Sequence, residues 1–237
     1  MLDPAGRVIM VSGANRGIGR AITEKLLSKG YRVSAGARDV AGLKDVLAPV
    51  ANAHLLCAQY DAETRATYKA WVEATLTTFG RIDGLVNNAG TSNTFSIEDG
   101  DEADFDRLVT INLKGPLFMT RLVMPHLRKV GHGRIVNISS LSGKRVANAN
   151  VAYAMTKHAL MALTHSTRRI GWDDGVRATA VCPSFVATDL TADVTKVRRE
   201  DMIDPADLAE LVATAIALPN NAVMAEMLVN CKLEDLF

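Results

Sequence analysis

A chain of 237 residues with 48% apolar and 22% charged side chains is too apolar for disorder, and it is long enough to bury a core without disulfide or metal staples. Its 27 basic and 26 acidic residues leave a formal charge of +1, so it offers no broad attraction to nucleic acid or to an anionic membrane. No apolar run approaches the length of a membrane span, and the first residues lack a basic stretch followed by a long apolar one. A short apolar run, a turn and a helical pattern then follow one another from end to end. Strands are predicted at Val8–Val11, Arg32–Ala37, His54–Gln59, Gly84–Asn87, Arg134–Ser139, Arg177–Cys182 and Val223–Val229. Helices are predicted at Ile18–Lys29, Val40–Pro49, Glu63–Phe79, Glu102–Lys129, Val151–Trp172 and Pro205–Leu218.

Several of these strands are apolar almost throughout, which fits burial on both faces, as in a parallel sheet covered by helices. Strand–helix alternation argues for right-handed βαβ units and hence a doubly wound α/β sheet. No stretch reads as a linker, so residues 1–237 are expected to form a single domain. Cys57, Cys182 and Cys231 are widely spaced in apolar stretches, which suits small buried hydrophobes in a reducing compartment and therefore a cytoplasmic protein. His126, His132, His158 and His165 show no ligand spacing with acids or cysteines, and no metal site is expected.

Chemistry begins at the first turn. Val8–Val11 runs directly into Ser12-Gly13-Ala14-Asn15-Arg16-Gly17-Ile18-Gly19, with a helix following. Glycines so placed give a tight turn, room for a pyrophosphate and close packing of helix on sheet, and the helix start offers free N–H groups to phosphate. Dinucleotide binding is the expectation, since the glycines sit between a strand and a helix. An acid at the end of the second strand would bind the ribose hydroxyls of NAD. That position holds Ala37, followed by Arg38, with Arg16 as a second cation inside the turn. Two guanidiniums favour the 2′-phosphate of NADP. Asp39 keeps NAD open as the alternative, should the strand end two residues later.

Tyr153 and Lys157 lie four apart in a helical pattern and share a face. A nearby ammonium is expected to favour the phenolate, bringing the phenol towards working pH as a general acid or base. Upstream, Ser139-Ser140 closes a buried strand where side chains reach the cofactor crevice.

Together these residues resemble the short-chain dehydrogenase/reductase family in its single-domain branch, and the match is collinear over nearly the whole chain. It comprises Gly13-x-x-x-Gly17-x-Gly19, Asp61, Asn87-Asn88-Ala89-Gly90, Asn112, Ser140, Tyr153, Lys157, and Pro183 followed by Thr188. The resemblance implies a Rossmann fold whose seven parallel strands run in the order 3-2-1-4-5-6-7, with helices on both faces. It implies a catalytic set of Asn112, Ser140, Tyr153 and Lys157. In that set Tyr153 moves the proton, Lys157 tunes it and holds the nicotinamide ribose, Ser140 binds the substrate oxygen, and Asn112 holds a relay water. It further implies cofactor contacts from Gly13, Asn15, Arg16, Gly17, Ile18, Gly19, Arg38, Asp61, Asn88, Ala89, Gly90, Tyr153, Lys157, Pro183, Val186 and Thr188. Among these, Asp61 would meet the adenine and Thr188 the carboxamide.

Pro116 adds a reason from the residues themselves, because it has no N–H to bond the Asn112 carbonyl four residues earlier, leaving that oxygen for water. Three departures stand out: Ser12 for the usual Thr, Ser184 for the Gly that often follows Pro183, and only sixteen residues between Thr188 and Pro205 to cover the substrate. Lys144, Arg145, Asn148 and Asn150 precede the tyrosine. They would suit an acidic or polar substrate if they rim the pocket, and are otherwise an ordinary solvated loop. The helices bearing Asn112 and Tyr153 carry Leu117, Met161 and Leu163 as outer apolar residues, and the family pairs these helices into homodimers or homotetramers. The expected function is NADP-dependent interconversion of a small-molecule carbonyl and an alcohol. The alternatives are the same chemistry with NAD, or a dinucleotide-binding protein that does no catalysis.

Overall fold

The computed structural model describes residues 1–234, so the last three residues of the expected domain lie outside the described residues. Seven strands, β1 (Val8–Ser12), β2 (Arg32–Ala37), β3 (Leu55–Gln59), β4 (Gly84–Asn87), β5 (Arg134–Ile138), β6 (Arg177–Pro183) and β7 (Glu226–Val229), form one sheet in the order β3-β2-β1-β4-β5-β6-β7. Every pairing is parallel, with Ile9 opposite Val33 and Gly84, Arg134 opposite Gly84 and Arg177, and Ala180 opposite Glu226. The order reverses between β1 and β4, and a crevice at such a switch point is where α/β sheets bind ligands.

The helices are α1 (Gly17–Ser28), α2 (Val40–Leu47), α3 (Ala66–Phe79), α4 (Glu102–Val109), α5 (Gly115–Val130), α6 (Val151–Gly171) and α7 (Pro205–Ala217). Unbroken apolar runs in the strands serve two cores at once. Ile9, Val11, Val86, Val136 and Val181 face a core shared with Ile22 and Leu26 of α1, Leu43 of α2 and Leu208 and Val212 of α7. Met10, Leu85, Ile135 and Ala178 face the other, shared with Trp71 of α3 and Met119, Val123 and Leu127 of α5. Successive strand residues point to opposite faces, so a run such as Val8-Ile9-Met10-Val11 is what burial on both sides requires.

Local chemistry moved some boundaries. The predicted helix Glu102–Lys129 is instead α4, a wide π turn over Thr110–Lys114, and α5. Pro116 cannot supply the α-helical bond to Asn112, and the Gly115 N–H closes five residues back on the Thr110 carbonyl. The helix predicted from Glu63 starts at Ala66, because the Asp61 carboxylate accepts the Glu63 N–H and the Thr64 hydroxyl and turns the chain first. The last strand begins at Glu226 rather than Val223. Of the three cysteines only Cys182 is fully buried, whereas Cys57 and Cys231 are half-buried. No helix among the described residues is long and apolar enough to cross a membrane.

Candidate active site

Ser12 ends β1 and its hydroxyl works three times. It donates to the Val86 carbonyl at 3.3 Å and accepts the Asn88 and Ala89 N–H groups, both at 3.0 Å. The Asn88 side-chain amide returns to the Ser12 and Gly13 carbonyls at 2.9 and 3.2 Å. The first turn and the segment after β4 are thereby clamped together across the switch point. Gly13 (φ +67°) and Gly17 (φ +51°) adopt the left-handed region that side chains disfavour. A Cβ on Gly19 would lie 2.2 Å from the Gly13 carbonyl oxygen, so only glycine lets α1 approach this closely. Arg16 precedes α1 without a capping side-chain bond, and the first turn carries no acid. Uncapped N–H groups in a glycine cradle fit a pyrophosphate.

The end of β2 lies where the sequence predicted it, at Ala37. Arg38 follows and is exposed, and the Asp39 side chain accepts the Gly42 N–H at 3.1 Å as the N-cap of α2. Arg16 is exposed and pairs with Asp189 at 3.4 Å, linking the glycine turn to the segment after β6, where Thr188 packs against Gly17. An exposed pair of this kind adds little stability. Asp61 sits beyond β3 with its carboxylate engaged in its own turn. Pro183 ends β6. Val186 is buried with its side chain in the core, so its backbone is what it offers to a ligand. Asn15 and Ile18 are half-buried along the cradle.

The catalytic candidates converge at the carboxyl ends of β4 and β5. Asn112, held in the π turn and 1% exposed, reads the Thr91 backbone with its whole amide: Oδ1 accepts the Thr91 N–H at 2.9 Å and Nδ2 donates to the Thr91 carbonyl at 2.9 Å. Nδ2 also reaches the Thr156 hydroxyl on α6 at 3.3 Å. Asn150 caps α6 by accepting the Tyr153 N–H, which starts the helix where Tyr153 and Lys157 come onto one face. The Lys157 ammonium donates to the Ile138 carbonyl at 2.9 Å and lies 5.5 Å from the Tyr153 ring centre. Gly90 fits against this group, its Cβ position 3.4 Å from Asn112 Oδ1 and 3.9 Å from Lys157 Nζ. The Ser140 hydroxyl accepts the Ser142 N–H at 3.1 Å and is near enough to Tyr153 to favour its phenolate.

Electrostatics correct one expectation. Burial pushes the Tyr153 phenol up to about 12, and the neighbouring Ser140 opposes this only in part. The neighbouring ammonium does not bring the phenol towards working pH here, because Lys157 is turned to a backbone carbonyl and the enclosed hydroxyl loses solvation as an anion. Burial likewise brings Lys157 down to about 8, with the Cys182 thiol acting the other way.

The basic rim is also different from its acidic-substrate reading. Lys144 donates to Glu226 at 2.7 Å and Arg145 binds Glu234 through Nε at 2.8 Å, so both cations are already paired. Asn150 is taken up by the helix cap and the Asn93 carbonyl, and Asn148 is exposed. Ser184 turns its hydroxyl to the Cys231 N–H at 2.9 Å. Of the outer apolar residues, Leu117 is 41% exposed, but Met161 is buried against Cys182, with Met155 on α6 exposed instead. Sequence reasoning missed the triple use of Ser12, the Ile138 carbonyl and Thr156. The hydroxyl at the start of the glycine turn signalled the first, and nothing in a one-dimensional string signals a backbone acceptor.

A family model described as short chain dehydrogenase matches residues 7–199. The chain belongs to the short-chain dehydrogenase family. Two proteins from Rhizobium rhizogenes named agropine synthesis reductase are 48% and 47% identical over 97% and 94% of this chain, covering 53% and 52% of their own length. The chain thus spans about half the length of these curated relatives. An uncharacterised oxidoreductase of Staphylococcus saprophyticus is 31% identical over 97% of this chain and 99% of its own. The crystal structure of 3-ketoacyl-(acyl-carrier-protein) reductase from Brucella melitensis complexed with NADH is similar with a TM-score of 0.88 at 28% identity, over 96% of this chain and 98% of that one.

Proposed function

We propose that this protein is an NADP-dependent reductase that converts a small-molecule carbonyl to an alcohol, with coenzyme and catalytic residues in one domain. The observation that carries the chemistry is the gathering of Asn112, Ser140, Tyr153 and Lys157 beside Gly90 at the carboxyl edge of the sheet. When bound, a reduced nicotinamide supplies the hydride. Ser140 donates a hydrogen bond to the carbonyl oxygen, and Tyr153 delivers the proton that makes it a hydroxyl. A phenol held protonated by burial suits the role of acid. Lys157 leaves the Ile138 carbonyl for the ribose hydroxyls, and the Asn112 carbonyl, denied a bond from Pro116, holds the water that returns a proton through Lys157.

For the coenzyme, the glycine turn with Asn15 and Ile18 takes the pyrophosphate, and Arg16 is the second cation beside Arg38 for the 2′-phosphate of NADP. Asn88, Ala89 and Gly90 flank the adenosine ribose, Asp61 the adenine, and Pro183, Val186 and Thr188 the nicotinamide end. NADP is favoured because the strand ends at Ala37 with Arg38 exposed beside it, while Asp39, the acid that would serve NAD, is committed to capping α2. NAD is the second reading, supported by the NADH bound to the Brucella reductase. A cytoplasmic homodimer or homotetramer joined through the outer faces of α5 and α6, where Leu117 and Met155 are exposed, completes the proposal.

The test is coenzyme oxidation with NADPH and NADH in parallel against aldehydes, ketones and keto acids, with coenzyme binding measured by calorimetry on the same preparation. Faster turnover with NADPH is expected. Faster turnover with NADH overturns the coenzyme assignment, and tight binding with no reduction of any carbonyl favours a protein that binds dinucleotide without catalysis.

A further inference from the structure

Ser140 and Tyr153 act on one carbonyl oxygen in the proposed reaction, yet they belong to different elements, the end of β5 and the start of α6. Residues 141–150 join them. The first part of this segment is fixed by contact. Leu141–Gly143 form a 3-10 turn, and a Cβ on Gly143 would lie 2.7 Å from the Lys157 carbonyl, so the turn rests directly on α6. Its last residue, Asn150, is fixed as the cap of that helix. Between them Val146 is 68% exposed and residues 147–149 are exposed as well.

Two ion pairs hold the middle. Lys144 Nζ donates to Glu226 Oε2 at 2.7 Å, and the other oxygen of Glu226 meets His165 Nε2 at 2.7 Å, three turns along α6 from Tyr153. One carboxylate on β7 therefore binds both the segment after Ser140 and the helix that carries Tyr153. Burial alone would raise the Glu226 carboxyl, but Lys144 and His165 hold it below its ordinary range. Arg145 gives Nε and Nη2 to a single Glu234 oxygen, and the two side chains are only 14% and 11% exposed. Pairs this enclosed are unlike surface pairs, since losing one partner strands the other charge. Glu234 is itself anchored: three residues before it the Cys231 N–H bonds the Ser184 hydroxyl beyond β6, and the Ser184 N–H bonds the Val229 carbonyl at 2.9 Å.

We propose that Glu226 and Glu234 are positioning residues for carbonyl reduction, holding Lys144 and Arg145 so that the segment 141–150 keeps the Ser140 hydroxyl in register with the Tyr153 phenol. The inference rests on the reductase reading. Neither carboxylate touches the reacting atoms; both act through the segment they hold. It also assigns the basic rim a duty other than recognising substrate charge.

Glu234→Gln and Glu226→Gln test this, alone and combined with Arg145→Met and Lys144→Met respectively. Each glutamate variant is expected to lower kcat for carbonyl reduction about tenfold, because small misplacements of catalytic groups carry large rate penalties. The KM for coenzyme should stay within about twofold, since the glycine cradle is untouched. Within each pair the double variant should be no worse than the single. Unchanged kcat in folded variants overturns the proposal, as does a parallel fall in coenzyme affinity, which would mark general loosening. Amide hydrogen exchange of the coenzyme-free protein gives a second readout that needs no substrate. Faster exchange at residues 141–150 in Glu234→Gln is expected, and unchanged exchange there overturns the positioning role. A wild type that reduces no carbonyl while the variant still speeds exchange sinks the reductase reading alone.

Discussion

At the amino edge of the sheet, strand starts are held by charge; at the carboxyl edge small polar side chains do most of the joining, with the Lys157 ammonium on the Ile138 carbonyl as an exception. Arg134 and Arg177, both buried, open β5 and β6 and spend their donors on the carbonyls of Gly133, Gly175, Leu218, Asn220 and Trp172. Asp83, fully buried just before β4, accepts the Val8 N–H at 2.9 Å and two bonds from Arg81. At the carboxyl edge a serine hydroxyl, two asparagine amides and glycines do the joining, and the helix start facing the crevice is left uncapped. Long side chains that fill these carbonyls take up acceptors that a ligand would otherwise use. Short ones stiffen the backbone while leaving its N–H groups open to one. The same seven strands are thus stabilised at one end and kept available at the other.

Substitutions at the two ends should separate accordingly. Tyr153→Phe keeps the ring but removes the proton, and should lower carbonyl reduction about a thousandfold with coenzyme affinity retained on calorimetry. At the opposite edge Asp83→Asn should do the reverse. It weakens the bonds that the buried carboxylate accepts from Val8 and from the exposed Arg81, costing about 2 kcal/mol, or roughly 6 °C in Tm for a chain of this size. Activity per folded molecule, measured well below the new Tm, should be unchanged. Back at the carboxyl edge, Arg38→Ser should weaken NADPH by about tenfold or somewhat more while leaving NADH nearly unaffected, since only the charged bond to the 2′-phosphate is lost.

The smallest effect is one of pH. In the proposed mechanism reduction needs Lys157 charged and Tyr153 protonated, and burial moves these groups to about 8 and about 12. The kcat/KM for coenzyme, which reports the free protein, should be level below pH 8 and fall above it as Lys157 loses its proton. The contribution of Lys157 to stability has the opposite slope. Its folded value lies below the ordinary 10.5, so the unfolded chain holds more protons between about 8 and 10.5, and that contribution rises with pH across this window. A Lys157→Met variant should lose both trends.

Much of this was legible in the string because it depends on neighbours in sequence. Apolar runs such as Val8-Ile9-Met10-Val11 announced strands buried on both faces, and the spacing Gly13, Gly17, Gly19 announced a turn whose close approaches are now visible. The strand order came from resemblance and agrees strand for strand. What was not legible depends on distance and burial. Arg145 and Glu234 stand 89 positions apart, so an arginine that reads as free in the sequence is neutralised in the fold. The ammonium of Lys157 was expected to act on Tyr153 because the two share a helix face, yet its partner is a backbone carbonyl of β5. Pro116 signalled an irregular helix, but periodicity could not say that the turn before it widens to place Asn112 against Thr91.

The contrast between the two edges is tested most directly by amide hydrogen exchange with and without saturating NADPH. Protection is expected at residues 12–19, 88–91 and 138–157, with none at 81–84, 132–134 and 175–177. Protection centred on the amino edge, or none at the glycine turn, would contradict the assignment of the carboxyl edge as the coenzyme site.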